Sequence, residues 1–143
     1  MKKRILAVDY GRKRMGVAVS DALGITAQSL PTLIIKNRKD ALFQLRNLIN
    51  EYNPERIVLG LPLDLHGRIG EMAKEVREFG EYIASEFAMK IDYLDERFTS
   101  KQAERVMHDL GEKTGKKKAK LDSLSAVFLL QGFLEMQSLR KGE

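Results

Sequence analysis

Two short apolar runs joined by a charged turn open the chain, and they restrict its fold more than any other feature. The first run, Arg4–Asp9, ends at a carboxylate, and the second, Gly16–Ser20, begins directly after a basic segment. Gly11 and Gly16 bracket the turn between them, and glycine is the residue that most readily reverses the chain. The pattern therefore predicts an antiparallel β-hairpin with Asp9 at the end of its first strand.

The rest of the chain alternates between strand and helix patterns, without a linker or an internal repeat. In the second helix, an apolar stripe predicted to face the core contains Met72, Val76, Phe79, Ile83 and Phe87. Residues 1–143 are expected to form one α/β domain, a mixed sheet with flanking helices. The predicted elements after the hairpin are a strand at Gly24–Leu30, a helix at Asp40–Tyr52, a strand at Arg56–Gly60, a helix at Arg68–Phe87, a strand at Lys90–Leu94, a helix from Thr99 to Gly111, a mobile loop at Lys113–Lys120 and a helix at Leu121–Leu139.

Composition excludes several classes of protein. The chain has no cysteine, which excludes a disulfide framework, a thiolate zinc site and a cysteine nucleophile. No apolar run is long enough for a signal peptide or a membrane span, so a cytoplasmic protein without a membrane partner is expected. The net charge is +5, and the segments Lys2–Arg14 and Arg97–Lys120 each carry +5 themselves. This concentration of basic charge favours a polyanionic partner.

Acidic residues at the ends of predicted elements are the candidates for chemistry. Asp9 ends the first strand, Asp95 and Glu96 follow a later strand, and Asp122 lies at the predicted start of the last helix. Ligands of open α/β sheets sit at the carboxyl ends of strands. Carboxylates gathered there could hold two Mg²⁺ or Mn²⁺ ions that act on a phosphodiester, with no organic cofactor. Taken singly, each acid is more typical of a turn or helix cap than of a metal site.

The lysine run before Asp122 is the clearest electrostatic feature. Five of the eight residues from 113 to 120 are lysines, and no aromatic side chain is interleaved with them. Contacts between lysine and phosphate add affinity without reading sequence, so the run is predicted to bring nucleic acid to the acidic site. The alternative is a solvated loop with no role in binding. The predicted nucleic-acid contacts are Arg12, Lys13, Arg14, Arg97, Lys113, Lys116, Lys117, Lys118 and Lys120.

Four blocks of sequence together resemble the YqgF/RuvX family of Holliday-junction resolvases and pre-16S rRNA nucleases. They are Asp9–Asp21, Gly60–Leu63, Asp95–Ser100 and the stretch from Lys116–Lys118 to Asp122 and Ala126. The resemblance spans nearly the whole chain and implies a ribonuclease H-like fold. It implies a hydrolase that cuts phosphodiester bonds of an rRNA precursor or of branched DNA, working as a monomer or a homodimer.

Residue by residue, the resemblance points to Asp9, Glu96 and Asp122 as catalytic residues, with Asp95 as a further candidate metal ligand. Strand alternation leaves the choice between Asp95 and Glu96 open, and the longer side chain favours Glu96. Structural turns are implied for Gly11, Gly16, Gly60 and Pro62, and Arg14 would present its guanidinium near the phosphate. The loop Leu65–Arg68 departs from the usual family pattern, so no role is carried over to it.

Two other hypotheses use the same residues. The domain could bind nucleic acid without cutting it, although clustered acids would then repel phosphate to no purpose. It could instead hold a nucleotide, since actin-like ATPases share the core of this fold and its Asp-x-Gly first strand. With 143 residues there is room for one such domain, whereas the usual nucleotide cleft lies between two.

Overall fold

The computed structural model describes residues 4–63, 66, 69–95 and 114–141, and the side chains of the final helix from residue 123 to residue 140. The five strands are β1 (Ile5–Asp9), β2 (Arg14–Ser20), β3 (Ala27–Ile34), β4 (Arg56–Leu61) and β5 (Lys90–Asp95). The helices within the described ranges are α1 (Arg38–Tyr52), α2 (Glu71–Phe87) and α3 (Thr114–Lys141). The predicted helix from Thr99 to Gly111 lies outside these ranges.

The five strands form one mixed sheet in the order β3-β2-β1-β4-β5. Strands β1, β2 and β3 pair antiparallel, while β4 and β5 continue parallel to β1. The predicted hairpin is confirmed, with Leu6 opposite Val19 and Asp9 opposite Gly16. Because β1, β4 and β5 are parallel, their carboxyl ends lie side by side at the same end of the sheet.

Helices cover both faces of the sheet, and strand alternation divides the core between them. Leu6 and Val8 of β1 pack with α1 and α2, whose buried residues include Leu45 and Phe79. The alternate residues Ile5 and Ala7 pack instead against α3. Because successive strand residues point to opposite faces, each position on β1 has an assigned side.

Strand β3 begins later than the sequence predicts, so the expected bounds Gly24–Leu30 are wrong. The Asp21 carboxylate accepts hydrogen bonds from the backbone N–H groups of Ile25 and Thr26, which holds this segment in a turn. Gly24 has a positive φ of 71°, a conformation that glycine adopts without strain. The strand then runs through Pro31, which is tolerated because β3 is at the edge of the sheet.

The first two helices also differ from prediction at their starts. Helix α1 starts at Arg38 because the side chain of Asn37 caps it, accepting a hydrogen bond from the backbone N–H of Asp40 at 2.8 Å. It ends before Asn53, as predicted. Helix α2 starts at Glu71 rather than Arg68, and Met72 is 40% exposed. The predicted apolar stripe is therefore wrong at Met72, whose place in the core belongs to Ala73.

The predicted loop at Lys113–Lys120 is wrong over most of its length, because α3 begins at Thr114. Lysine and alanine favour helices even without apolar periodicity, and a helix anchored by its packed part extends readily through such a segment. Asp122 consequently does not open the helix but lies about two turns inside it. None of the helices in the described part of the chain is long and apolar enough to span a membrane.

Candidate active site

Asp9 is the last residue of β1 and lies at the carboxyl edge of the parallel strands. It has the same strand parity as Ile5 and Ala7, whose side chains pack against α3. Its side chain is only partly buried, unlike the four residues before it. The strand thus presents a carboxylate at the sheet edge, on the face that α3 covers.

Helix α3 approaches this face closely because the residues between them are small. Ala126 is fully buried together with Ala7 of β1 and Ala18 of β2. Ala126 therefore allows the helix to lie near the sheet. Farther along, Leu129 and Leu130 are buried in the same cluster.

A hydrogen bond fixes the position of α3 next to Asp122. The hydroxyl groups of Thr32 on β3 and Ser123 on α3 lie 3.0 Å apart. Thr32 lies beside the irregular pairing at Met15–Val17, and Gly16 in that stretch is opposite Asp9. The helix backbone at residues 122–123 therefore lies at about the same height on the sheet as Asp9, two strands away.

Asp95, the other candidate carboxylate with a described position, belongs to the opposite face. It ends β5, pairs with Leu61 of β4, and shares strand parity with Ile91 and Tyr93. Those residues pack in the cluster with α1 and α2, whereas Leu94 packs in the cluster with α3. Asp95 and Asp9 are thus assigned to different sides of the sheet, and Glu96 lies outside the described residues.

Of the four predicted turn residues, Gly11 and Pro62 lie in turns, whereas Gly16 and Gly60 lie within strands. A side-chain carbon at Gly11 would collide with the carbonyl oxygen of Arg14, so the turn after Asp9 closes only around glycine. The predicted turn roles of Gly16 and Gly60 are wrong, because both residues are buried within strands, in β2 and β4. Pro62 is the centre of a tight turn in which the N–H of Leu63 donates to the carbonyl oxygen of Leu61 at 3.0 Å.

A network that was not predicted from the sequence holds the residues that follow Asp9. Glu75 of α2 accepts a hydrogen bond of 2.6 Å from the Tyr10 hydroxyl. The same carboxylate accepts from Nε and Nη2 of Arg12, at 3.0 and 2.7 Å. The Tyr10 ring packs on Phe79, with 4.9 Å between ring centroids. No periodic pattern marks this contact, because it joins a turn to a helix more than sixty residues away.

The electrostatics of this network follow from its geometry. Hydrogen bonds from Arg12 and Tyr10 lower the pKa of Glu75 to about 2. Burial, together with the hydrogen bond to Glu75, raises the pKa of Tyr10 to about 12. Arg38 also acts on both groups through its charge, and its guanidinium lies over the ring of Tyr82, 5.6 Å from the centroid. At neutral pH the network therefore contains an ionised Glu75 and a neutral Tyr10.

The basic residues predicted to bind nucleic acid lie in three settings. Lys13 is exposed and Arg14 partly buried, in the turn and at the start of β2. Arg12 is exposed but has Glu75 as its partner. Lys116, Lys117, Lys118 and Lys120 belong to the first turns of α3. Arg97 and Lys113 lie outside the described residues.

The structure contains no group of three or more His, Asp or Glu side chains that could hold a metal within the described ranges. Glu96 and the side chain of Asp122, two members of the predicted set, are outside those ranges. His66 is exposed, and it is the one described residue of the segment Leu65–Arg68. Among the predicted ligands whose side chains the structure describes, Asp9 is therefore the one on the face covered by α3.

A five-stranded mixed sheet with an antiparallel hairpin, parallel β4 and β5, and helices on both faces is the architecture of a ribonuclease H-like domain. Residues 3–136 match the family model RuvX, described as Holliday junction resolvase. The chain belongs to this family, and it is accordingly a hydrolase that acts on phosphodiester bonds.

Relatives agree with this assignment, and a solved structure agrees with the fold. A protein of Koribacter versatilis (strain Ellin345) named as a pre-16S rRNA nuclease is 44% identical over 140 residues, covering 98% of this chain and 92% of the relative. One of the same name from Lactococcus lactis subsp. cremoris (strain SK11) is 42% identical over 142 residues, with 98% and 99% covered. The structure of Thermus thermophilus RuvC in complex with Holliday junction substrate superposes with a TM-score of 0.60 at 12% identity, covering 95% of this chain and 96% of RuvC.

Proposed function

We propose that this protein is a divalent-metal-dependent nuclease that trims the 5′ end of an rRNA precursor, with Asp9, Glu96 and Asp122 as its catalytic residues. The observation that carries the proposal is the meeting of two elements at one sheet edge. Asp9 ends β1 on the face covered by α3. The contact between Thr32 and Ser123 places the backbone of α3 at residues 122–123 at about the same height on the sheet as Asp9. We place the reaction in the cytoplasm, where the protein would encounter rRNA precursors.

The donor set fits a hard cation. Asp9 offers carboxylate oxygens at a strand end, and the small residues Ala7, Ala18 and Ala126 let the helix that carries Asp122 pack close to the sheet. Mg²⁺ or Mn²⁺ would be held by Asp9, Glu96 and Asp122, without an organic cofactor. Two bound ions would supply an activated water and stabilise the leaving oxygen of the phosphodiester.

Strand parity supports Glu96 over Asp95 as the ligand from β5. Asp95 shares the parity of Ile91 and Tyr93, which pack with α1 and α2. Glu96 is the next position with the parity of Leu94, which packs with α3 on the same face as Asp9. Side-chain length favours Glu96 from the sequence alone, and the packing of β5 adds an independent reason.

Basic residues on both sides of Asp9 would bind the substrate backbone. Lys13 and Arg14 follow Asp9 in the chain, and Lys116, Lys117, Lys118 and Lys120 of α3 precede Asp122 by two to six residues. Their contacts would neutralise phosphates without reading bases, which suits a substrate recognised by its shape. Arg97 and Lys113 complete the proposed set.

The choice of rRNA over branched DNA rests on the degree of similarity. The relatives at 42–44% identity are named as pre-16S rRNA nucleases, while the resolvase bound to a four-way junction is 12% identical. A resolvase would also need a two-fold symmetric dimer to match the junction, whereas a monomer could trim an RNA end.

The test is cleavage of both substrates side by side. A labelled RNA spanning the 5′ end of pre-16S rRNA and a labelled four-way DNA junction are incubated with Mg²⁺, Mn²⁺ or chelator. We expect metal-dependent cutting of the RNA at discrete positions. Junction cleavage alone would replace the proposed substrate with branched DNA. Binding of both substrates without cleavage in either metal would identify a non-catalytic binding module.

A further inference from the structure

The turn after Asp9 is clamped to α2 through one carboxylate. Glu75 accepts hydrogen bonds from Tyr10 and from two nitrogens of Arg12, the residues one and three positions after Asp9. Its side chain is 21% exposed, while that of Arg12 is 69% exposed. Glu75 therefore lies beneath the turn, and Arg12 reaches back to it from the surface.

The clamp and the catalytic face lie on opposite sides of the sheet. Tyr10 packs with Phe79 in the core shared by α1 and α2. Asp9, one residue earlier, lies on the face covered by α3. A peptide bond joins the two residues, so fixing Tyr10 on one side restricts the backbone of Asp9 on the other.

The closure of the turn at Gly11 transmits this restriction. The collision that any side chain would make with the Arg14 carbonyl oxygen shows how tightly the turn is wound. The Lys13 carbonyl oxygen also accepts a hydrogen bond of 2.7 Å from the N–H of Ile35. Glu75 ties both Tyr10 and Arg12 to a helix that is itself packed against the sheet.

We infer that Glu75 is a positioning residue of the nuclease, holding the Tyr10–Arg12 turn so that Asp9 keeps its reactive orientation. The inference rests on the proposed function. It also assigns Arg12 a different role from the phosphate contact predicted from sequence, because its guanidinium is engaged in a two-point pair with a carboxylate. Glu75 does not touch the substrate and acts through Tyr10 and Arg12.

If Glu75 positions Asp9, its replacement should lower the rate of cleavage without weakening the binding of nucleic acid. Small misplacements of a catalytic group can lower a rate by about 100-fold, whereas phosphate contacts elsewhere would be unaffected. Glu75→Gln removes the charge but keeps the shape and an acceptor for Tyr10. We expect the single-turnover rate at saturating protein to fall by about 10- to 100-fold. Affinity should be unchanged or higher, since Arg12 is released from a competing anion.

Glu86→Gln is a matched control. Glu86 lies on the same helix and also pairs with an arginine, Arg46, at 3.4 Å, but far along α2 from the turn. The two variants carry the same chemical change. Glu86→Gln should leave the rate, the affinity and the turn unaffected.

The experiment combines three measurements on the full chain. Single-turnover cleavage of the labelled pre-16S RNA with Mn²⁺ gives the rate, binding in chelator gives the affinity, and hydrogen exchange of the peptide covering residues 5–14 reports the turn. We expect Glu75→Gln to slow cleavage and accelerate exchange in the turn. Two results for Glu75→Gln would overturn the inference. One is an unchanged cleavage rate although the turn exchanges faster, and the other is unchanged hydrogen exchange in the turn.

Further variants separate positioning from loss of stability. Tyr10→Phe keeps the ring on Phe79 and removes the hydroxyl, so it should slow cleavage less than Glu75→Ala does. Adding Tyr10→Phe to Glu75→Ala should cost almost nothing more, because both remove the same hydrogen bond. If the two substitutions reduce the cleavage rate additively, and if the reductions parallel the decrease in melting temperature, Glu75 is not a positioning residue. Cleavage that survives Asp9→Asn would instead contradict the proposed function.

Discussion

The two faces of the sheet differ in the size of the side chains at their central contacts. Toward α1 and α2, the core consists of large residues such as Leu6, Met15, Leu45 and Phe79. Toward α3, the central contact is made by Ala7, Ala18 and Ala126, and the larger side chains of α3 come later in the helix. The difference sets how near each helix can lie to the strands.

The two faces therefore contribute differently, one chiefly to stability and the other to the position of α3. Large buried side chains on the first face remove more apolar area from water and so contribute more stability. Small residues on the second face bring the backbone of α3 close to β1, which is the arrangement that the proposed metal site would need. Each face can then be perturbed separately, and the results should differ in kind.

Asp9→Asn should give the largest effect, on the face covered by α3. The amide keeps the shape of the side chain but lacks the negative charge that a metal needs, so cleavage should be abolished. The reduction should exceed the roughly 10- to 100-fold effect typical of residues that only support a metal ligand. Nucleic-acid binding should be equal or slightly stronger, because one acid no longer repels phosphate.

The measurement is single-turnover cleavage beside a binding titration on the same preparation. Asp21→Asn serves as the control, since Asp21 lies in the turn at the other end of the hairpin. A folded Asp9→Asn protein, free of contaminating nuclease, that cuts at the parental rate would show that the carboxylate only caps the strand end.

Ala126→Val and Leu45→Ala should separate the two faces more finely. Valine overpacks the contact with Ala7 and Ala18, at a cost of about 1–3 kcal/mol, and it forces α3 outward. Leu45→Ala leaves a cavity on the other face at a cost of about 2–5 kcal/mol. We expect Ala126→Val to slow cleavage more, although it destabilises less.

Denaturant unfolding gives the stability of each variant, and cleavage is compared at a temperature where all proteins are folded. If activity follows stability alone, with Leu45→Ala the slower enzyme, the spacing of α3 has no particular role in the site.

Much of the fold could be predicted from sequence because local patterns dictated it. The two apolar runs of β1 and β2, joined by a short charged turn with glycine, specify the hairpin, and the Asn53-Pro54 pair marks the end of α1. The errors occurred where side-chain hydrogen bonds or distant packing decide the outcome. Asp21 and Asn37 shift the starts of β3 and α1 by capping, and α3 extends through the lysine run because its later residues anchor it.

The site was predictable only in part, for the same reason. Asp9 could be chosen because a carboxylate at the end of an apolar strand is visible in the sequence. The assignment of Asp95 to the other face required the observed packing of Tyr93 and Leu94. Glu75 gave no signal at all, since an acid on the surface stripe of an amphipathic helix is ordinary until its partner is known.

Replacement of Lys116, Lys117 and Lys118 by alanine should weaken binding without preventing cleavage at saturating substrate. Alanine favours helices, so α3 should persist and stability should barely change. The slope of log affinity against log salt should fall by roughly 0.7–0.9 for each phosphate that the variant no longer neutralises. Consecutive helix positions are about 100° apart, so the three lysines should not all reach the nucleic-acid backbone together. A salt titration that leaves the slope unchanged would remove these lysines from the interface.

The smallest expected effect is the pH dependence of stability from Glu75. Its pKa lies at about 2, below the ordinary value of 4.5, chiefly because Arg12 and then Tyr10 donate hydrogen bonds to it. A lowered pKa means that the ionised form stabilises the fold, fully above pH 4.5, and that this contribution is lost as the pH falls toward 2. Arg12 is largely exposed, so the contribution should be about 1 kcal/mol or less.

The difference in melting temperature between wild type and Glu75→Gln should therefore be constant from about pH 5 to 8 and shrink below pH 4.5. Glu86→Gln, which disrupts an exposed pair, should differ little from wild type at any pH. A Glu75→Gln difference that persists undiminished at pH 2 would show that the side chain acts by packing rather than by its charge, and that the clamp under Asp9 is not an ionic one.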